Sequence, residues 1–216
     1  NYPIYDETTH RGVLRYLYLR RGAVSGEIAV CIVINAAKLP LQHELIRLRT
    51  ENFPDISGIF TVINREPGNA ILTDRISTVY GKPTVSDELC GVKLNISPLS
   101  FYQVNHSTAQ NIYRKAAEIA DLKPTDTLID LYCGTGTIGL SMAKKVNRLI
   151  GVEIIPAAIE NAKENARLNG IANAEFLCAD AKDAVLKFSE NKIHPDVIVL
   201  DPPRKGCDPS VIECVH

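Results

Sequence analysis

The strongest constraint on the fold of this chain is an alternation that sets in after Pro124. Four apolar segments, "TLIDLYC", "RLIGVE", "AEFLCAD" and "PDVIVLD", recur there, with helical patterns opening near Gly136 and running through "PAAIENAKENARLNG". Apolar strands alternating with amphipathic helices imply right-handed βαβ units around a parallel sheet. One more helix precedes the first strand: "NHSTAQNIYRKAAEIADL", capped by Asn105 and stopped by "KPTD".

The preceding residues have a different texture. "GVLRYLYLR" and "EIAVCIVIN" are rich in β-branched and aromatic residues, with "RGAVSG" as a turn-like connector. "LPLQHELIRLRTEN" reads as a short amphipathic helix with Leu41, Leu45 and Leu48 on one face. "ISGIFTVIN" and "NAILTDRISTVYG" flank a hairpin signal, "REPG", and "ELCGVKLNIS" reads as a final strand. The expected class is α/β: a β-rich α+β central domain over residues 1–95, then a parallel-sheet domain over residues 96–216.

Composition excludes several classes. No apolar run approaches the roughly 20 residues of a membrane helix, and "NYPIYDETTHRG" has neither the basic flank nor the apolar stretch of a signal peptide. The six cysteines (31, 90, 133, 178, 207 and 214) form no C-x-x-C. That argues against a zinc knuckle, an iron–sulfur set or a disulfide framework, and for reduced thiols in a cytoplasmic protein. The five histidines have no metal-like spacing, so no metal is expected. Cys133 and Cys178, on strand ends, are expected in the core. Net charge is −1, so any basic surface is local. The candidate is "RGVLRYLYLRR", where Arg11, Arg15, Arg20 and Arg21 interleave with Tyr16 and Tyr18. It reads either as a strand surface for RNA or, as composition favours, as a half-exposed strand with solvated arginines.

The loop "DLYCGTGTIG" follows the first strand of the alternation. Gly134, Gly136 and Gly139 satisfy G-x-G-x-x-G, and Glu153 ends the next strand, where an acid accepts hydrogen bonds from a ribose. Both NAD and S-adenosylmethionine carry an adenosyl ribose, so this pattern alone leaves the two open. The acids favour the second. Asp130 ends the first strand, Asp180 the third and Asp201 the fourth. Such a rim repels a pyrophosphate and suits a sulfonium. The competing explanation is that each acid merely caps the helix after it.

"LDPPR" ends the fourth strand, over the crevice where cofactor and substrate meet. In methyltransferases acting on base amines an aromatic ring usually follows the prolines; Arg204 departs from that pattern. With "SFYQVN", "DLYCGTGTIGL", "GVE" and "DPPRKG", residues 97–216 resemble the RNA uracil-5-methyltransferases, which make 5-methyluridine in ribosomal or transfer RNA. "THRGVLRYLYLRRG" resembles that family's central domain. The resemblance implies a Rossmann-like methyltransferase sheet, incomplete at its C-terminal side, and S-adenosylmethionine as cofactor. It assigns cofactor contacts to Gln103 at the methionine end, Tyr132 beside the glycine loop, Glu153 at the ribose, and Asp201 between cofactor and base. Gly134 lets the backbone approach the ligand, and sheet geometry puts Asp180 near the adenine.

The same resemblance implies an RNA partner, 23S ribosomal RNA rather than transfer RNA, and no membrane. In that family a cysteine thiolate adds to uracil C6, C5 takes the methyl group, and a base then removes the C5 proton. Those two residues fall beyond His216 in the family pattern. The expectation is therefore a fragment that holds the cofactor but is inactive alone, with no catalytic residue of its own. Cys207 and Cys214 do not match the family nucleophile. Three alternatives stand beside this reading: a base-amine methyltransferase, an NAD-dependent oxidoreductase, and a non-enzymatic RNA-binding module built on the β-rich half.

Overall fold

A computed structural model describes residues 2–68 and 70–215, without the side chains of residues 49, 50, 214 and 215. By internal packing the chain divides into two units. One runs to Asp87 and takes in Ile96–Leu99; the other comprises Glu88–Asn95 and the chain from Ser100 onward.

The first unit is a four-stranded sheet of order β1-β2-β3-β4, made of β1 (Leu14–Arg21), β2 (Ile28–Ile34), β3 (Ile56–Ile63) and β4 (Ile76–Gly81). β1 and β2 pair antiparallel, as do β3 and β4. β2 and β3 pair parallel, because helix α1 (Gln42–Asn52) carries the chain across between them. Leu45 packs on the core beside Ile32, Ile34 and Ile59. Leu41 precedes the helix with φ of 49° and is exposed, and Leu48 is nearly half exposed, so the expected leucine face is narrower than its spacing suggested.

β1 is half-exposed as expected, with Arg21 and the preceding Arg11 at the surface, but Arg15 departs from the solvated pattern. It is 8% exposed. Its Nη1 donates to the Asn64 carbonyl (3.3 Å), Asn64 Oδ1 (2.8 Å) and the Glu66 carbonyl (2.7 Å), and its Nη2 to the Gly68 carbonyl (3.1 Å). The guanidinium also lies 4.7 Å from the Tyr5 ring centroid. A planar fork with five donors suits such a carbonyl-lined pocket. Arg15 therefore tethers a loop and offers no surface to RNA.

"ELCGVKLNIS" is not a lone strand. β5 (Val85–Leu89) and β6 (Val92–Ile96) form a hairpin. It turns at Cys90 and Gly91, both at positive φ (52° and 78°), the backbone that a tight two-residue turn requires. Residues 88–95 pack with the second unit. Asn95 N donates to Asn165 Oδ1 at 2.8 Å and Lys93 N to Asn169 Oδ1 at 2.8 Å.

The second unit is a parallel sheet of order β10-β7-β8-β9, from β7 (Thr127–Leu131), β8 (Arg148–Glu153), β9 (Ala174–Cys178) and β10 (Val197–Leu200). Helices α2 (His106–Ile119), α3 (Thr137–Met142), α4 (Pro156–Leu168), α5 (Ala181–Glu190) and α6 (Pro209–Val215) surround it. α5 lies between the third and fourth expected strands and has no counterpart among the elements expected from sequence. Ala181, Ala184, Val185 and Phe188 form its apolar stripe and pack, with Val211 of α6, on Ile129, Leu131, Ile150 and Val152. Alternation turns Leu128, Asp130 and Leu149 to the opposite face, which α3 and α4 cover. Cys133 is buried as expected; Cys178 is exposed, because it ends an edge strand. No helix among the described residues is long and apolar enough to cross a membrane.

Candidate functional site

Parallel strands leave their loops at one edge, and there the second unit has a cavity of about 610 Å³. Gln103, Tyr132, Gly134, Glu153, Asp180 and Asp201, the six residues singled out from sequence, all line it. It also takes in Phe101, Tyr102, Tyr113, Thr137, Arg204 and Lys205. No spacing rule distinguishes Tyr113 or Thr137. One is an aromatic within a helix and the other a threonine after a glycine, and only the closure of the fold brings them to the cavity.

The loop after β7 is shaped by its backbone. Tyr132 has φ of 65°, uncommon for a side chain of that size and a local strain that the surrounding fold must hold. Gly136 then caps α3 in the left-handed region with φ of 80°. At Gly134 a β-carbon would meet nothing within 4 Å, so the chain is bare where it faces the cavity.

Carboxylates hold this loop in place. Glu153 Oε2 accepts the Gly134 amide at 3.1 Å, and its Oε1 accepts the Ile155 amide at 2.9 Å. Asp130, 1% exposed, accepts the Gly139 amide on Oδ2 at 2.8 Å. Its Oδ1 is buried with no partner among the described residues. Burial, aided by the charges of Asp201 and Glu153, pushes the Asp130 carboxyl up to about 7, against the Gly139 hydrogen bond. The Gly136 amide goes to the Cys133 carbonyl at 2.8 Å. All three motif amides are therefore engaged within the protein, two of them by carboxylates. A pyrophosphate cradle needs such amides free.

Asp180 does cap α5, its Oδ1 accepting from Lys182 N at 2.9 Å, and lines the cavity as well. Capping and site-lining are compatible in one residue. Asp201 follows β10 directly, and Pro202, Pro203, Arg204 and Lys205 continue the rim. Among the described residues, no group of three or more His, Cys, Asp or Glu is arranged to hold a metal ion.

Residues 122–212 match a family model described as "Methyltransferase domain". A solved tRNA (uracil-54, C5)-methyltransferase from Pyrococcus abyssi, in complex with S-adenosyl-L-homocysteine, superposes with a TM-score of 0.81 at 29% identity. The match covers 99% of this chain and 50% of that one. The fold is that of a methyltransferase. Its parallel sheet is the Rossmann-like sheet of S-adenosylmethionine-dependent enzymes, as the sequence led one to expect. Two sequence relatives named as uncharacterized RNA methyltransferases align along almost the whole chain. One, from Staphylococcus aureus, is 38% identical over 213 residues, covering 99% of this chain and 47% of its own length. The other, from Clostridium acetobutylicum, is 40% identical over 211 residues, 98% and 46%. The chain thus spans about half the length of the curated relatives it matches.

Proposed function

We propose that this chain supplies the S-adenosylmethionine site of an RNA methyltransferase acting on C5 of uracil. The observation that carries the reading is the gathering of carboxylates at one cavity. Glu153, Asp180 and Asp201 line it, and Asp130 is buried within electrostatic reach of two of them. Burial raises the Asp130 carboxyl to about 7, so the three acids that line the cavity carry the charge, with Asp130 a buried neighbour whose ionised form a bound cation would favour. Such a site favours a cationic ligand and disfavours an anionic one, which speaks for a sulfonium and against a dinucleotide. The engaged amides of Gly134, Gly136 and Gly139 point the same way. The relatives named RNA methyltransferases and the tRNA-modifying neighbour support RNA as the substrate.

In this reading S-adenosylmethionine, when bound, supplies the activated methyl group. Glu153 accepts the ribose hydroxyls with the lone pairs its two backbone bonds leave over. Asp180 lies toward the adenine, Tyr132 packs beside the ligand, and the bare Gly134 backbone admits it. Gln103 faces the methionine end, and Asp201 stands between cofactor and base. The chemistry at uracil also needs a thiolate for C6. The only thiol lining the cavity among the described residues is Cys133, and burial first, then Asp130 and Glu153, pushes it far up. It stays protonated, and we assign the nucleophile to none of the described residues. The chain is expected to bind the cofactor without methylating RNA by itself. Its substrate is expected to be cytoplasmic 23S ribosomal RNA, with transfer RNA as the competitor.

Calorimetric titration with S-adenosylhomocysteine, with NAD in parallel, tests the cofactor. Binding of the first alone, weakened at least tenfold by Glu153→Ala, supports the reading. Binding of NAD in preference would overturn it.

A further inference from the structure

α2 leaves its Asn105 cap with Ala109 and Tyr113 one turn apart, and these form its buried stripe. The Tyr113 ring is 5% exposed, and its hydroxyl lies 3.4 Å from Oγ1 of Thr137, the first residue of α3. Gln103 and Asp201 stand close enough to the same phenol to bear on its ionisation. Burial drives that pKa up most strongly, Thr137 and Gln103 draw it down, and Asp201 and Asp130 raise it. One buried oxygen thus has a hydrogen-bond neighbour on α3, with Gln103 from the turn before α2 and Asp201 from the end of β10 on the same cavity wall.

Gln103 has space on two sides. It lines the main cavity and also a second of about 240 Å³, reached between α2 and the end of β10 and lined by Asn105, Thr108 and Leu200 among others. Gln103, Tyr113, Ile138 and Asp201 are the wall the two cavities share. A glutamine between two open spaces has several staggered rotamers of similar energy. Its amide carries both donors and an acceptor, so a fixed polar neighbour decides which rotamer prevails.

We propose that Tyr113 is a positioning residue. Its phenol, steadied by Thr137, holds the Gln103 amide in the one orientation that addresses the main cavity. The inference deepens the reading of that cavity as the cofactor site and rests on it for the ligand, though not for the contact. Tyr113 itself need not touch the ligand; it acts through Gln103. Removing only the hydroxyl leaves the ring packed and frees the amide to turn toward the second cavity.

The test is Tyr113→Phe in this chain, read in two ways. First, nitrogen-15 NMR of the Gln103 side-chain amide, identified by its disappearance in Gln103→Ala, should move toward the position and mobility of a solvent-exposed glutamine. Second, affinity for S-adenosylhomocysteine should fall by about three- to tenfold, as for loss of one hydrogen bond. Combined with Gln103→Ala, the second change should add nothing, because both act through one side chain. Thr137→Ala should give a smaller shift in the same direction. An unmoved Gln103 amide in Tyr113→Phe, or additive losses of affinity, overturns the proposal. A released amide in a chain that binds no S-adenosylhomocysteine supports the Tyr113–Gln103 coupling and sinks the cofactor assignment instead.

Discussion

The Gly139 amide donates to Asp130 Oδ2 at 2.8 Å, tying the first turn of α3 to the last buried acid of β7. The bond stabilises one carboxylate oxygen and leaves the other, Oδ1, without a partner among the described residues. Burial outweighs the bond, and Asp130 is raised from 3.8 to about 7. Between those limits the folded chain holds a proton that the unfolded chain has released. Stability should therefore be greatest below pH 4, for this group, fall as pH rises toward 7, and level off above it. The linkage amounts to on the order of 4 kcal/mol at most. Urea denaturation from pH 4 to 8 should show a decline that Asp130→Asn flattens; an identical slope in the variant would exclude Asp130 as its source.

Gly139 itself has no room for a side chain. A β-carbon there would stand 2.8 Å from Leu149 Cδ1 and 2.9 Å from Asp130 Oδ2. Gly139→Ala should cost about 1–3 kcal/mol by overpacking, measured as a lower urea midpoint with unchanged slope. A loss under about 0.5 kcal/mol would mean that α3 slides off the sheet without penalty.

Asn165 is fully buried and joins two backbone segments: it accepts from Asn95 N at 2.8 Å and donates to the Thr135 carbonyl at 3.2 Å. Asn165→Ala strands both groups, at about 1–3 kcal/mol for each one left buried. Because Thr135 belongs to the glycine loop, affinity for S-adenosylhomocysteine should fall as well. Thermal shifts with and without ligand would separate the two effects.

Arg15→Lys keeps the charge and loses the fork. A lysine cannot serve the carbonyls of Asn64, Glu66 and Gly68 together. Hydrogen exchange across residues 64–68 should quicken while β2 and β3 keep their protection. Unchanged exchange in that loop would show that Arg15 does not tether it.

Much of this was legible beforehand, for reasons that differ by element. β7, β8 and the helix capped by Asn105 announced themselves because burial and capping leave local marks on sequence. α5 did not, since its stripe of Ala181, Ala184, Val185 and Phe188 is broken by charged residues and resembles a polar linker. Arg15 was misread because an arginine on a strand is ordinarily solvated; only the loop brought against it, some fifty residues on, makes the site dry. The gathering of Gly134, Glu153, Asp180 and Asp201 at one sheet edge was readable because strand ends fix where such residues emerge, whereas Gln103 and Tyr132 were singled out only by the family resemblance. Tyr113 and Thr137 carried no comparable mark, since their meeting depends on how α2 and α3 pack.

The hairpin of β5 and β6 has a kinetic consequence. The groups on Asn165 and Asn169 that receive its backbone amides lie 70 and 76 residues further along the chain. During synthesis the strand Val92–Ile96 must emerge and wait, its amides served by water, until α4 has been made. Closing so long a loop is entropically slow. The amides of Lys93 and Asn95 should therefore gain protection only once the helix that follows β8 has formed.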